Sequence, residues 1–359
     1  MVKLKRLPDL SRLNHIRSIL IVRYFAVGDI ALSLPVIYRL RERFPEAKIS
    51  YLVWERYADT LRGVGEVDQI IVLKDGIAQW LRMIGTIRKG KFDLLIDLVS
   101  SPGSAELGWL SGTKIRVGMD TGRHNWCFHH LLPRTFHKDG KKIKFYTLDS
   151  NRELMRMIFP ERAAGPYCPG KRSTDEELAI GFPASLSEEA WAAEFYAGLP
   201  ASAGGYAGVT ASSNYLSKSW PVERISELAE RMREEFDVIP VIIWGPGEEE
   251  AAGRIYDSVK TSVLPPLISI PKLGALIKNL RFLVGIDSGP KHLAVLQGVP
   301  TVTLFGPTDP MVWDPVTPKH RVVFKDLDCF PCKDMNCQEN RCMNDIKVDE
   351  VIDEIRKIF

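Results

Sequence analysis

Between residues 18 and 120 the chain alternates short apolar runs with longer stretches whose apolar residues recur every three or four positions. SILIVRYF (18–25) reads as a buried strand, and Ile30, Leu34, Ile37, Leu40 and Phe44 follow it at helical spacing. Further strands are expected at 48–54, 69–73, 92–99 and 114–119, with a helix over 80–90. Strand, helix, strand in this rhythm predicts a parallel sheet covered on both faces.

From about 160 to 205 the pattern breaks into Pro, Gly and Ala. One helix, Ser187 to Leu199, interrupts it. With Ser187 as cap and Ala190 at its third position, it lacks a full capping box. The rhythm then restarts with strands at 206–212, 238–245, 282–287 and 301–306 and helices at 223–236 and 292–298. Residues 348–359 are helical and could cross back to the first domain. The fold class expected is α/β, with two Rossmann-like doubly wound domains over 1–183 and 184–345 and a closing helical segment at 346–359. Ligands of such sheets sit beyond the carboxyl ends of the strands, here in a central cleft.

A length of 359 residues suits two cores of ordinary size. No apolar run reaches the roughly 18 residues needed to span a bilayer. The basic start is interrupted by polar residues before a signal-peptide core can form, so a cytoplasmic protein is expected. The net charge of +3 hides an asymmetry. Residues 1–172 hold 30 Lys and Arg against 17 Asp and Glu, a net +13, and the remainder holds 18 against 28, a net −10. Apart from drift in solvated faces, this suggests that the first half meets something anionic, a phosphorylated substrate or a membrane surface. Arg134, His137, Lys138, Lys141, Lys142 and Lys144 concentrate that charge just before Phe145 and Tyr146. No nucleic-acid recognition motif accompanies it, so no nucleic-acid partner is assigned.

Four stretches lie just past strand ends. In the first, Arg23 to Asp29, Gly28 allows close backbone approach, and Asp29 sits at the mouth of a helix as either its cap or a modest base. The second runs from Thr210 through Ser212, Ser213 and Asn214 to Lys218, Ser219, Trp220 and Pro221. Its hydroxyls and amide can bond a diphosphate, and Lys218 is either a surface lysine or a mobile charge offered to that group. In the third, Gly245-Pro246-Gly247 precedes Glu248, Glu249 and Glu250, which suit an acidic first helical turn or a contact to a ribose or base. The fourth is Asp287-Ser288-Gly289-Pro290-Lys291-His292. Pro290 stands in a first turn, and the N–H groups of Ser288, Gly289 and Lys291 form a ready anion site. His292 is either a satisfied buried histidine or a further donor to phosphate. The turn Gly306-Pro307-Thr308-Asp309-Pro310 would form the adjoining wall.

Cys329, Cys332, Cys337 and Cys342 lie at C-x2-C-x4-C-x4-C, apart from Cys127 and Cys168. Such closeness suggests a structural Zn²⁺ or a local disulfide pair. The spacing is not that of the familiar zinc modules, and a cytosolic setting opposes stable disulfides. Free or redox-variable thiols are expected, with no metal and no catalysis assigned.

Taken together, ILIVRYFAVGDIALSLPVIYRLRERFPEAKISYLV, the Lys218-Ser219-Trp220-Pro221 stretch, GIDSGPKHLAVLQGVPTVTLFGPTDP and the closing CMNDI resemble the bacterial heptosyltransferases of glycosyltransferase family 9 over nearly the whole chain. The resemblance implies a GT-B fold with acceptor on the first domain and donor on the second. It implies inverting, metal-independent transfer without a cofactor, typically from ADP-heptose to a lipopolysaccharide-core hydroxyl. Asp29 then looks like the general base and Lys218 like the cation facing the departing diphosphate. Gly28, Ser212, Ser213, Glu248, Asp287, Ser288, Gly289 and His292 make up the donor site. The partners implied are a nucleotide-sugar donor and an anionic lipid-linked glycan, with peripheral contact to the cytoplasmic face of the inner membrane. Many relatives carry a small polar residue shortly before Gly-Asp, where this chain has Phe25-Ala26-Val27, which leaves the acceptor open. A GT-B transferase using another nucleotide sugar, or a non-catalytic nucleotide- or glycan-binding relative, are the competing readings.

Overall fold

The computed structural model describes residues 15–133, 136–138, 141–159, 172–210, 215–330, 332, 334 and 336–359. It divides into two compact units, Met1–Lys171 and Arg172–Phe359.

The first unit is built on β1 (Ser18–Val22), β2 (Lys48–Trp54), β3 (Gln69–Leu73), β4 (Leu94–Asp97), β5 (Ile115–Met119) and β6 (His130–Leu132). They form one parallel sheet in the order β3-β2-β1-β4-β5-β6. Ile19, Leu20, Ile21 and Val22 are all buried, a continuous rather than alternating pattern, because helices cover both faces of a central parallel strand. Strand β6 is too short and too polar at His130 to stand out in the sequence.

The helical pattern after β1 resolves into two helices, Val27–Ala31 and Leu34–Arg43. Pro35, in the first turn of the second, has no N–H to continue the first, so the chain re-enters helix around Ser33. Ile30, Leu34, Ile37, Leu40 and Phe44 are buried, as their spacing predicts.

The basic stretch forms an antiparallel hairpin of β7 (Phe136–Lys138) and β8 (Lys141–Ile143), while Arg134 lies outside the described residues. Phe145 and Tyr146 are buried, so they anchor the hairpin to the core and are not part of an exposed basic face.

The second unit carries β9 (Tyr206–Thr210), β10 (Ile239–Ile243), β11 (Phe282–Ile286), β12 (Thr301–Phe305) and β13 (His320–Phe324). All pair in parallel in the order β10-β9-β11-β12-β13. This is the second common doubly wound order, with its reversal between β9 and β11.

Three expectations differ from the structure. Residues 172–183 belong to the second unit, where Gly181 N donates to Leu296 O at 2.8 Å and Phe182 is buried. The helix expected from Ser187 is Leu186–Ala197, capped by Ser185. Its capping box is complete: Glu188 N donates to Ser185 Oγ at 3.4 Å, and Ser185 N donates to Glu188 Oε2 at 2.6 Å. The closing helix, Val348–Arg356, is part of the second unit's core and not a segment separate from it. Val348, Val351, Ile352 and Ile355 share one buried face with Ile225, Leu228 and Met232 of the helix Val222–Phe236. Among the described residues no helix is long and apolar enough to cross a membrane.

Candidate active site

In the first sheet the strand order reverses between β1 and β4, which opens a crevice at their carboxyl ends. Arg23 leaves β1 at this point and Asp97 ends β4. The Arg23 guanidinium pairs with the Asp29 carboxylate through Nη2 and donates from Nη1 to Leu98 O at 2.6 Å. Asp29 is not the helix cap. Ala26 holds that place, and Asp29, three residues on, accepts from Ala26 N at 3.3 Å through Oδ2. One oxygen thus closes the helix start while the other faces Arg23, and the side chain keeps 15% of its surface open to solvent. The cap reading of Asp29 is thus corrected, because the carboxylate supports the helix start from its third position instead of capping it. Gly28 is buried within the same short helix of the first unit.

Asp97 is buried, and burial pushes its pKa up to about 6. The N–H groups of Ser100 and Val99, each 2.8 Å from Oδ1, oppose that rise, as does the Arg23 charge. The same bonds fix the turn that leads to the helix Pro102–Leu110. Neither Asp97 nor the bracing role of Arg23 was singled out from the sequence. The signal for Asp97 was an acid ending an apolar run directly before Ser-Ser-Pro, which a turn explains equally well.

The second switch point, between β9 and β11, is more deeply tied. Asp287 follows β11 and is buried. Its Oδ2 accepts from Lys218 Nζ at 2.8 Å and from Thr308 Oγ1 at 2.7 Å, and Lys218 Nζ also lies 3.2 Å from Asp287 O. His292 Nε2 stands 3.7 Å from Oδ1. Burial alone would raise the Asp287 pKa, but the bond with His292 and the charges of Lys218 and Lys291 outweigh it and hold the carboxyl well below its ordinary range. His292 is lowered to about 4 by burial and by Lys291, against the pull of Asp287, so its ring is neutral near pH 7. His292 is thus buried and neutral, and a neutral ring still carries one N–H donor, so both readings of it accommodate this geometry.

Backbone fit holds this cluster in register. Ile286 N donates to Thr210 Oγ1 at 3.1 Å, and a Cβ on Gly285 would lie 1.9 Å from that oxygen. Ser288 caps the helix Gly289–Leu296, and Pro290 stands in its first turn. First-turn N–H groups have no intrahelical acceptor, so this end can receive an anion. Ser288 Oγ is buried and has no hydrogen-bond partner among the described residues. Lys291 points the other way, fully buried, donating to Trp313 O and lying 3.3 Å from Asp314 Oδ2.

At the end of β10, Gly247 takes a positive φ of 87° and completes the Gly-Pro-Gly turn. Of the three glutamates that follow, Glu249 and Glu250 are exposed, whereas Glu248 is half-buried and accepts from Gly245 N at 2.9 Å. Burial pushes Glu248 up to about 7, with a further rise from Glu249 and an opposing effect from Gly245 N–H. Ser212 and Ser213 lie outside the described residues. The structure thus brings Lys218, Asp287, Ser288, Gly289 and His292 into one cluster, with Thr308 added from the turn expected to form the adjoining wall.

Comparison with known proteins follows the same lines. The model of glycosyltransferase family 9 (heptosyltransferase) matches residues 80–343. Lipooligosaccharide heptosyltransferase 2 of Campylobacter jejuni is 28% identical over 344 residues, covering 92% of this chain and 96% of its own. Among solved structures, the Escherichia coli ADP-heptose lps heptosyltransferase II is similar at a TM-score of 0.72 and 19% identity, covering 96% of this chain and 98% of that one. The E. coli heptosyltransferase WaaC with ADP-2-deoxy-2-fluoro heptose is similar at 0.64 and 21% identity, covering 95% and 99%. At these identities the structural likeness shows the fold, which is the two-domain GT-B architecture expected from the sequence.

Proposed function

The chain belongs to glycosyltransferase family 9 (heptosyltransferase) and is a glycosyltransferase; on that premise, we propose that it moves heptose from ADP-heptose to a hydroxyl of a lipopolysaccharide-core-type acceptor, with inversion and without a divalent ion at the diphosphate. The observation that carries this reading is the Lys218–Asp287 pair at the head of the helix Gly289–Leu296. A fixed ammonium beside free helix N–H groups can neutralise charge as it develops on a departing diphosphate. The WaaC structure with an ADP-heptose analogue supports ADP as the nucleotide.

In this mechanism the diphosphate rests against Ser288, Gly289 and Lys218. Asp287 is a positioning residue, ionised at all working pH values and therefore able to orient Lys218 without competing for its proton. Glu248 faces the nucleoside. Asp29 takes the acceptor proton as the new glycosidic bond forms, and Arg23 holds its carboxylate in orientation. The acceptor carries negative charge and is lipid-linked, in keeping with the +13 balance of residues 1–172 and with peripheral contact to the cytoplasmic face of the inner membrane.

Calorimetric titration with ADP, UDP and GDP in the presence of a chelator tests the donor. Selective ADP binding is expected. A preference for UDP or GDP would keep transfer chemistry but discard ADP-heptose, and no binding by any of the three would contradict the whole donor assignment.

A further inference from the structure

Residues 325–340, which join β13 to the short helix Arg341–Asn344, show only turns and bends among the described residues. Loops of this length without regular structure are uncommon in compact domains and usually serve a function. Both ends of this one are pinned. Lys325 Nζ pairs with Glu350 Oε1 at 2.6 Å, and Asn340 Nδ2 donates to Leu216 O and Ser219 O at 3.1 and 3.0 Å, on either side of Lys218. Between the pins the loop borders a cavity of about 400 Å³ lined by Cys329, Cys332, Cys337 and Cys342 together with Ser217 and Pro307. The cavity wall is therefore shared with the segments that present Lys218 and Thr308.

We propose that these four cysteines bind one divalent transition-metal ion as a tetrathiolate site, which ties the loop to the segment carrying Lys218. All four thiols line one cavity, and none of them is in a disulfide. Asp334 N donates to Cys332 Sγ at 3.4 Å, the kind of N–H contact that supports a metal-bound thiolate and orients it.

Among the described residues no three such groups already stand in coordinating arrangement. The ion would draw the loop in, as it does where a site forms only on binding and the binding energy becomes folding energy. Each thiol releases its proton to water as its sulfur binds, and no oxidant or reductant takes part. Tetrahedral sulfur-only coordination selects zinc or iron among the abundant ions.

The test uses the full chain purified under reductant. Elemental analysis is expected to find about one zinc or iron per chain. Replacement by Co²⁺ is expected to give the charge-transfer and d–d absorption of a tetrahedral thiolate site. Cys332→Ser and Cys337→Ser should each lose that spectrum, and Cys127→Ser, in the other unit, should keep it. Circular dichroism shows whether each variant is folded. Zn²⁺ or Co²⁺ bound no more tightly by the wild type than by a folded variant with all four cysteines replaced by serine would overturn the proposal. So would intramolecular disulfides within the cluster as the stable form under the same reductant.

Discussion

The two switch points contain the same elements, a carboxylate and a cation placed beyond strand ends, and differ in how they are held. In the first unit Asp29 and Arg23 keep 15% and 19% of their side-chain surface open, and the Asp29 carboxylate meets the Arg23 guanidinium and the Ala26 N–H. In the second, Asp287 is nearly closed off and tied by Lys218, Thr308 and the facing His292. A carboxylate reachable by solvent can meet an acceptor hydroxyl and take its proton. A buried one held far below its ordinary pKa cannot, and serves to orient its cation. In the proposed mechanism, burial separates two roles that residue type alone leaves equal.

The widest break in this comparison is expected at Asp29. Asp29→Asn should lower kcat by roughly a thousandfold, a general-base loss, with ADP affinity unchanged by calorimetry; a variant retaining most of its kcat would remove Asp29 from the chemistry. Lys218→Ala should weaken ADP binding and kcat together by about tenfold to a hundredfold, as expected for a lost charge-assisted contact. Removing the lysine also strands a buried carboxylate, so denaturant titration should show a loss of about 3 kcal/mol. An unchanged ADP affinity in that variant would count against a diphosphate contact.

Asp97 sharpens the comparison through pH. Its folded-state value of about 6 lies above the ordinary 3.8, so the native state holds the proton more tightly than the unfolded chain. The resulting stability is present below the ordinary value and is lost as pH rises through about 6. Relative to Asp97→Asn, the wild type should lose about 3 kcal/mol of unfolding free energy between about pH 4 and about pH 7. Parallel stability curves for the two proteins would refute the assignment.

Gly285→Ala probes the second switch point. A Cβ 1.9 Å from Thr210 Oγ1 must push β9 and β11 apart, and a cost of about 1–3 kcal/mol is expected in thermal or denaturant unfolding. Glu248 gives the smallest effect. With its pKa near 7, ADP affinity should rise about two- to threefold from pH 6 to pH 8 as the carboxylate ionises, and Glu248→Gln should flatten that rise.

Much of this was readable from the sequence where a single physical signal dominated. The central strands are continuous apolar runs, and Asp-Ser-Gly-Pro followed by a helix ending near Gly298 marks its own turn and anion end. What was not readable depends on partners distant in sequence. Thr308 and Lys218 meet at Asp287 only after β9, β11 and β12 are aligned side by side. The pairing of Arg23 with Asp29 hides the second half of a motif whose helix cap turned out to be Ala26. The helices Glu249–Ser258 and Ile270–Lys278 were missed because one starts in a glutamate run and the other opens with Pro271, next to loop-like residues. The unit boundary falls early within the composition break, at 171/172 instead of 183/184, because Phe182 is buried with the second unit.

The division of labour between the units is tested most directly by hydrogen exchange on the wild-type protein with and without ADP. The account predicts that ADP slows exchange chiefly at 285–293 and 245–250 in the second unit and leaves 22–31 in the first unit unchanged. Protection centred on 22–31, with 285–293 unaffected, would contradict it.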